Sequence, residues 1–357
     1  RDIFRSVKRE VIQGSKNDLK IIDIYIEEKP TGEISAGAGV GTNGGTLAFN
    51  IRENNWLGEG KRVGIDFELS EESLKGQLTY TNPNYDLRGN SISYNLKNTS
   101  NDKPDQGYKN SIIAIGAATG FEQYENIFAN LGVNLSYDDL ETTSNASSSL
   151  QKQSGQFAEL SGTYGFKYDQ RDRSFMPTSG SILSFNQSLP IYADKPFIDN
   201  SVMASFYNSF SENYIGSSKF LLSTIHGVNN ENVRISKRKS LSSKRLRGFE
   251  RGKIGPVDSN DHIGGNYSAS ANFDLSLPNF LPESTNTDVS LFLDFGSVWG
   301  VDYDDTIDDS RKLRSSTGLS ASWISPIGPM TFTFAQDLSK AETDVTESFN
   351  FNLGTTF

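Results

Sequence analysis

Between residues 234 and 253 the chain carries nine cations, Arg234, Lys237, Arg238, Lys239, Lys244, Arg245, Arg247, Arg251 and Lys253, against one acid, Glu250, although the whole protein has a formal net charge of −10. In their midst stands Leu246-Arg247-Gly248-Phe249. A guanidinium beside a flexible glycine and an anchoring phenylalanine can enter a narrow space and form forked hydrogen bonds with carboxylates. Two partners suit it. Asp274 lies between Phe273 and Leu275, and Asp294 lies between Leu293 and Phe295, so each carboxylate falls on the polar face of an alternating strand. The expected chemistry is an internal ion-pair latch; the alternative is that both aspartates only hydrate a lumen. The flanking lysines and arginines read as an external loop that meets lipopolysaccharide phosphates or solvent.

Little else in the chain suits catalysis. His226 and His262 are the only histidines, and there is no Gly-x-Ser-x-Gly elbow, His-Glu-x-x-His pair or phosphate loop. Gly39-Val40-Gly41-Thr42-Asn43-Gly44 matches a dinucleotide fingerprint in letters, but it straddles a strand end with no helix to follow, so it reads as a hairpin turn. Asp302, Asp304, Asp305, Asp308 and Asp309 could hold calcium, yet the glycine and terminal glutamate of an EF-hand are missing, and a solvated outer loop is the better reading. No enzyme, no cofactor and no metal is expected. The acidic balance argues against a nucleic-acid partner.

The elements that must position Arg247 and its partners are strands. Hydrophobic residues make up only 35% of the chain, and no stretch approaches the roughly 18–20 apolar residues of a membrane helix. Strands can still cross lipid, because only every second side chain then needs to be apolar. From Glu33 onward the period is two almost throughout, as in Val63, Ile65, Phe67 and Leu69, or Leu131, Val133, Leu135 and Tyr137. Tyr267, Ala269, Ala271, Phe273, Leu275 and Leu277 alternate with Ser268, Ser270, Asn272, Asp274 and Ser276, which predicts lipid outside and water inside.

Segments of this kind fall at about 33–41, 45–53, 60–70, 73–82, 89–97, 109–121, 125–138, 155–169, 179–190, 199–211, 216–228, 263–278, 286–299, 313–325, 329–338 and 347–357. They predict an all-β fold, a 16-stranded antiparallel transmembrane barrel with an inward-folded loop. Connections after even strands are mostly compact, whereas 98–108, 139–155, 229–262 and 300–312 are longer and polar; the turn at 169–178 is long for its side. Residues 30–357 are thus assigned to the barrel. Within 1–29, Ile3, Phe4 and Val7 suggest the end of a helix, and Ile22, Ile24 and Ile26 a strand with one buried face, as in part of a small α/β unit. Pro30-Thr31-Gly32 reads as a hinge, and Arg1 begins mid-pattern, as in a mature or truncated chain.

Five stretches in this order resemble the BamA family, central barrels of the outer-membrane β-barrel assembly machinery, over essentially the whole chain. They are Asn55-Trp56-Leu57-Gly58-Glu59-Gly60; Leu246 to Phe249 followed by Ile254-Gly255-Pro256; Leu293-Asp294-Phe295-Gly296-Ser297-Val298-Trp299; Trp323-Ile324-Ser325-Pro326-Ile327-Gly328-Pro329; and the aromatic end from Phe349 to Phe357. Leu246 stands where the family usually has valine. The resemblance implies that residues 1–29 end the last POTRA domain, a periplasmic module, and that Arg247 pairs with acids on the twelfth and thirteenth strands. It also implies an outer-membrane insertase that works without nucleotide. Its partners would be unfolded outer-membrane protein clients, lipoproteins recruited through further POTRA modules, and outer-membrane lipid with lipopolysaccharide.

Barrel closure then requires the first strand to meet the last. Gly37, Gly39 and Gly41 weaken the first, while Phe349, Phe351, Leu353 and Phe357 mark the last. A weak seam can open sideways as a lateral gate and template an incoming strand; the alternative is that the glycines relieve crowding. Related transport pores, of two-partner secretion or TamA type, and a passive porin-like barrel are the competing functions.

Overall fold

The computed structural model describes every residue except 1–3, 17, 43, 175, 212–213, 278–279, 283–284, 286, 326–327 and 355–357. Two strands, β1 (Phe4–Gln13) and β2 (Lys20–Glu28), form an antiparallel hairpin. The helix expected near Phe4 and Val7 is therefore a strand. The three- and four-residue spacing of Phe4, Val7 and Val11 fits a helix, but β-branched Val7 and Val11 pair with Ile26 and Ile22 across an extended ladder. The expected buried face is also absent among the described residues, since Ile22, Ile24 and Ile26 are all more than half exposed.

The next eleven strands are β3 (Gly32–Gly41), β4 (Gly44–Trp56), β5 (Lys61–Ser70), β6 (Ser73–Asn82), β7 (Ser91–Lys103), β8 (Tyr108–Tyr124), β9 (Ile127–Thr142), β10 (Gly155–Asp169), β11 (Gly180–Ala193), β12 (Phe197–Ser211) and β13 (Tyr214–Gly227). A long connection follows, containing only a 3-10 turn at Ile235–Lys237 and a minute hairpin of β14 (Val257–Asp258) and β15 (Asp261–His262). The chain then completes β16 (Tyr267–Leu277), β17 (Thr287–Trp299), β18 (Arg314–Ser325), β19 (Gly328–Ser339) and β20 (Phe349–Gly354). Sixteen antiparallel strands, β3 to β13 and β16 to β20, close into one barrel in which sequence neighbours pair and β20 meets β3.

Alternation sets the two faces. Leu47, Phe49 and Ile51 on β4, and Ile65, Phe67 and Leu69 on β5, are exposed on the outer surface, as lipid-facing side chains must be in an isolated barrel. Phe206, Phe220, Phe273 and Phe295 run across four adjacent strands of that surface with ring centroids 5.9–6.4 Å apart. Two departures from the expected pattern have physical causes. Residues 98–103 continue β7 rather than forming a loop, because Asn98 to Lys103 find backbone partners on β8 although their side chains carry no apolar alternation. The inner face of β16 is not hydrated either: Ser268, Ser270 and Asn272 are buried at 1%, 7% and 2% exposure beneath the long connection.

Candidate functional site: an internal latch and a short seam

The connection between β13 and β16 folds inward and lies against β16, β17 and β18. Leu241, Leu246, Phe249 and Ile254 form a buried apolar cluster with Val298 of β17, and this anchors the loop on either side of Arg247. Gly248 makes the turn between Arg247 and Phe249. Its φ of +87° strains any residue with a side chain, and a Cβ there would lie 3.0 Å from the Ala335 Cβ. The sequence needs glycine at this point so that the chain can turn between the ion-paired arginine and the phenylalanine in the apolar cluster.

Arg247 meets both expected partners. Its Nε and Nη2 each donate to Asp294 at 2.7 Å, and its Nη1 lies 2.7 Å from Asp274 Oδ1. Asp294 is fully buried and also accepts from the Arg247 backbone N–H at 3.1 Å and from Asn272 Nδ2 at 2.8 Å. The guanidinium carbon sits 3.8 Å from the centre of the Phe292 ring, a cation–π contact on its open face. Lys219 adds a contact of 3.3 Å to Asp274. Charges this well paired can stay ionised away from water, whereas either one alone could not.

The flanking cations need correction. Arg234, expected at lipid phosphate or in solvent, is buried between Asp138 and Glu159 and stacks 4.2 Å over Phe157. Lys237 reaches Glu159 at 3.1 Å, Arg238 pairs with Asp302, Lys239 pairs with Asp199, and Lys253 lies 3.1 Å from Asp105. Their partners come from separate walls and loops, so spacing along the chain could not reveal them. Lys244 and Arg251 remain exposed. The acidic stretch is likewise more than a solvated loop: Asp302 accepts from the Val233 N–H and Asn266, Asp304 from Ser149, and Asp309 from the Val301 N–H. Tyr303 donates to Asp258 at 2.7 Å, and burial with that bond pushes its hydroxyl above the ordinary tyrosine range. These contacts tie the outer loops to one another.

The seam contrasts with the latch. Among the described residues the ladder of β20 with β3 pairs Asn352 with Gly41, Leu353 with Val40 and Gly354 with Gly39, and beyond it the Thr42 N–H donates to the Phe351 carbonyl at 3.2 Å and Asn350 Nδ2 donates to the Thr42 hydroxyl, whereas β8 and β9 run in register from Tyr108 opposite Thr142 to Tyr124 opposite Ile127. Gly37 faces Ala48 of β4 and lies below the described seam. At Gly41 a Cβ would stand 2.5 Å from the Phe351 carbonyl oxygen, so closure here requires glycine. Phe349 and Phe351 stand opposite Phe334 and Phe332 of β19, and Phe351 also reaches the seam through its carbonyl, which accepts from the Thr42 N–H. Phe357 lies outside the described residues, as do Pro326 and Ile327.

Some residues around the latch escape a reading by motif. Asn272 and Phe292 sit on the same polar-facing parity as Asp274 and Asp294, and parity could have found them. Ser316 on β18 donates to the Arg247 carbonyl, and Arg314 with Asp344 forms a second buried forked pair. Nothing in their surroundings in the sequence marks these three.

A closed sixteen-strand barrel, apolar outside, with a loop fastened inside by a buried arginine, defines the chain as a plugged transmembrane β-barrel. Residues 55–357 match the Omp85 superfamily domain, and the chain belongs to that superfamily. It is similar to the outer membrane protein assembly factor BamA of Neorickettsia risticii, 25% identical over 348 residues that cover 94% of this chain and 46% of the relative. The BamA of Neisseria meningitidis is 23% identical, covering 94% of this chain and 48% of that protein. The crystal structure of BamA from Haemophilus ducreyi lacking POTRA domains 1–3 shares the fold, with a TM-score of 0.89 at 24% identity over 99% of this chain and 76% of that one. The chain spans about half the length of the curated relatives it matches.

Proposed function

We propose that the chain is the membrane barrel of an outer-membrane protein insertase, with β3 and β20 as its lateral gate. The observation that carries this reading is the glycine-bearing seam, whose ladder among the described residues is three pairs around Gly39 and Gly41, against the long register of β8 with β9. Backbone N–H and C=O groups freed at that seam would offer an edge on which an unfolded client strand pairs by β-augmentation. Hydrogen bonding and apolar burial by the client supply the driving force, so neither nucleotide nor cofactor is required. Arg247, with Asp274 and Asp294, keeps the loop docked inside while the seam works.

In this reading the β1–β2 hairpin is the end of the last POTRA domain, on the periplasmic side. Its exposed Val7, Val11, Ile22, Ile24 and Ile26 suit a sheet that is covered by more of such a domain. Lipoproteins of the assembly machinery would dock through POTRA modules, and the exposed Lys244 and Arg251 are the loop cations left to meet lipopolysaccharide or other anions.

Residues 1–357 contain no cysteine, so one pair introduced at Val40 and Leu353, which face each other across the seam, is the only pair within the barrel. In vesicles containing the full-length protein, oxidation of this pair should stop insertion of an unfolded eight-stranded barrel protein, and reduction should restore it. Full insertion under a complete crosslink would remove the gate. Steady large conductance without any gain in client folding would favour a transport pore.

A further inference from the structure

The terminal strand is held by more than its seam. Immediately before β20 the chain from Asp344 to Ser348 is fastened at every residue. Asp344 accepts from Arg314 Nε and Nη2, both at 2.8 Å, and from the Ala341 N–H at 2.6 Å. The Val345 N–H donates to Lys253 O at 3.1 Å, and Val345 O accepts from the Glu250 N–H at 3.0 Å. Thr346 bridges Phe249, the Glu347 N–H donates to Gly248 O at 3.0 Å, and Ser348 O accepts from the Ala335 N–H at 2.8 Å.

Arg314 opens β18 and is 2% exposed, and the Asp344 side chain is fully buried. The third guanidinium nitrogen donates to Lys312 O at 2.9 Å, so each of the three nitrogens has a protein partner. The latch reaches the same place. Gly248 and Phe249, next to Arg247, pair with Glu347 and Thr346, while Ser316 of β18 donates to the Arg247 carbonyl. Two buried ion pairs, one on the loop and one on the wall, thus converge on the root of the strand that closes the barrel.

We propose that Arg314, acting through Asp344, is a positioning residue for the terminal strand, fixing its extracellular root so that β20 swings away from β3 about the Asp344–Glu347 segment. The proposal rests on the gate reading above. A fixed root keeps the β19–β20 hairpin together while the β3 edge is freed. Motion is then confined to the end of β20 that an incoming strand would meet.

The test uses the full-length protein in vesicles with spin labels at Leu313 and Thr343, exposed positions beside the two partners, and in a second sample at Val40 and Leu353. Asp344→Asn should broaden the Leu313–Thr343 distance distribution and slow client insertion about tenfold, the scale of a coupling carried by one buried contact. If that variant fails to fold, Arg314→Met with Asp344→Leu removes both charges and leaves neither buried alone, so it should fold and show the same two effects. A root distance as narrow as in the parent overturns the proposal, and so does a broadened root with a full insertion rate. Full insertion through an oxidised Val40–Leu353 crosslink in the otherwise natural protein would instead overturn the gate reading. A blocking crosslink together with clamp variants that behave like the parent defeats the positioning role alone.

Discussion

Along β16, β17 and β18, inner side chains such as Ser268, Asn272, Asp294 and Ser316 are polar yet dry, all at 2% exposure or less beneath the inserted loop, whereas at β3 and β20 closure rests, among the described residues, on a few backbone pairs around Gly39 and Gly41. Both regions belong to the same ladder of hydrogen bonds. The difference lies in what is added to the ladder. On the latched wall, buried ion pairs and an apolar cluster tie strands to a loop, and each broken contact would strand a charge away from water. At the seam a lost backbone bond exposes groups that another chain can satisfy. Rigidity and exchangeability are thus assigned to different sectors of one barrel.

The most severe break in this contrast should come from Asp294→Ala or Arg247→Ala. Removing one member of a buried pair costs about 3–5 kcal/mol, and urea unfolding in vesicles should show that loss while Val40–Leu353 crosslinking in folded molecules changes less. Gly41→Val attacks the other sector. Its overlap with the Phe351 carbonyl should cost the closed seam about 1–3 kcal/mol, a strain relieved when the seam parts, so it is seen as a drop in crosslinking yield at the seam with a smaller shift of the unfolding midpoint than Asp294→Ala gives. Equal effects of both changes on both readouts would erase the distinction.

Smaller effects calibrate the scale. Lys109 and Glu141 pair at 2.8 Å on strand extensions where both side chains are more than 60% exposed. Lys109→Ala should cost well under about 1 kcal/mol, and a loss comparable to that of Arg247→Ala would mean that burial does not set the strength of these pairs. His262 gives the weakest test. Burial, then the nearby Lys253 charge, holds its pKa below the ordinary 6.5. Above 6.5 both folded and unfolded forms are neutral there; as pH falls below it, the unfolded form takes up a proton more readily and stability declines. His262→Asn should flatten that acid limb in urea titrations, and an unchanged slope would assign it to other groups.

The barrel was legible because one physical rule, apolar at every second residue, writes itself directly into sequence. The same parity aimed Asp274 and Asp294 inward and gave Arg247 its partners. It could say nothing about Arg234 and Glu159 or Arg314 and Asp344, whose meeting depends on how a loop drapes over several walls. Residues 98–103 went unread because strand above the lipid has no reason to alternate. At the amino-terminal end, the spacing of Phe4, Val7 and Val11 favours a helix, and pairing with β2 overrides it.

The bridge from loop to wall also orders events in time. Arg247 and Asp294 are separated by 47 residues, whereas Thr42 and Asn350 at the seam are separated by 308. Closing the shorter span costs less chain entropy and waits for less of the polypeptide. Chain entropy alone thus favours docking of the loop while the sheet is still an open ribbon, ahead of closure of the barrel. The junction whose closure costs the most chain entropy is the one proposed to come apart when the protein works.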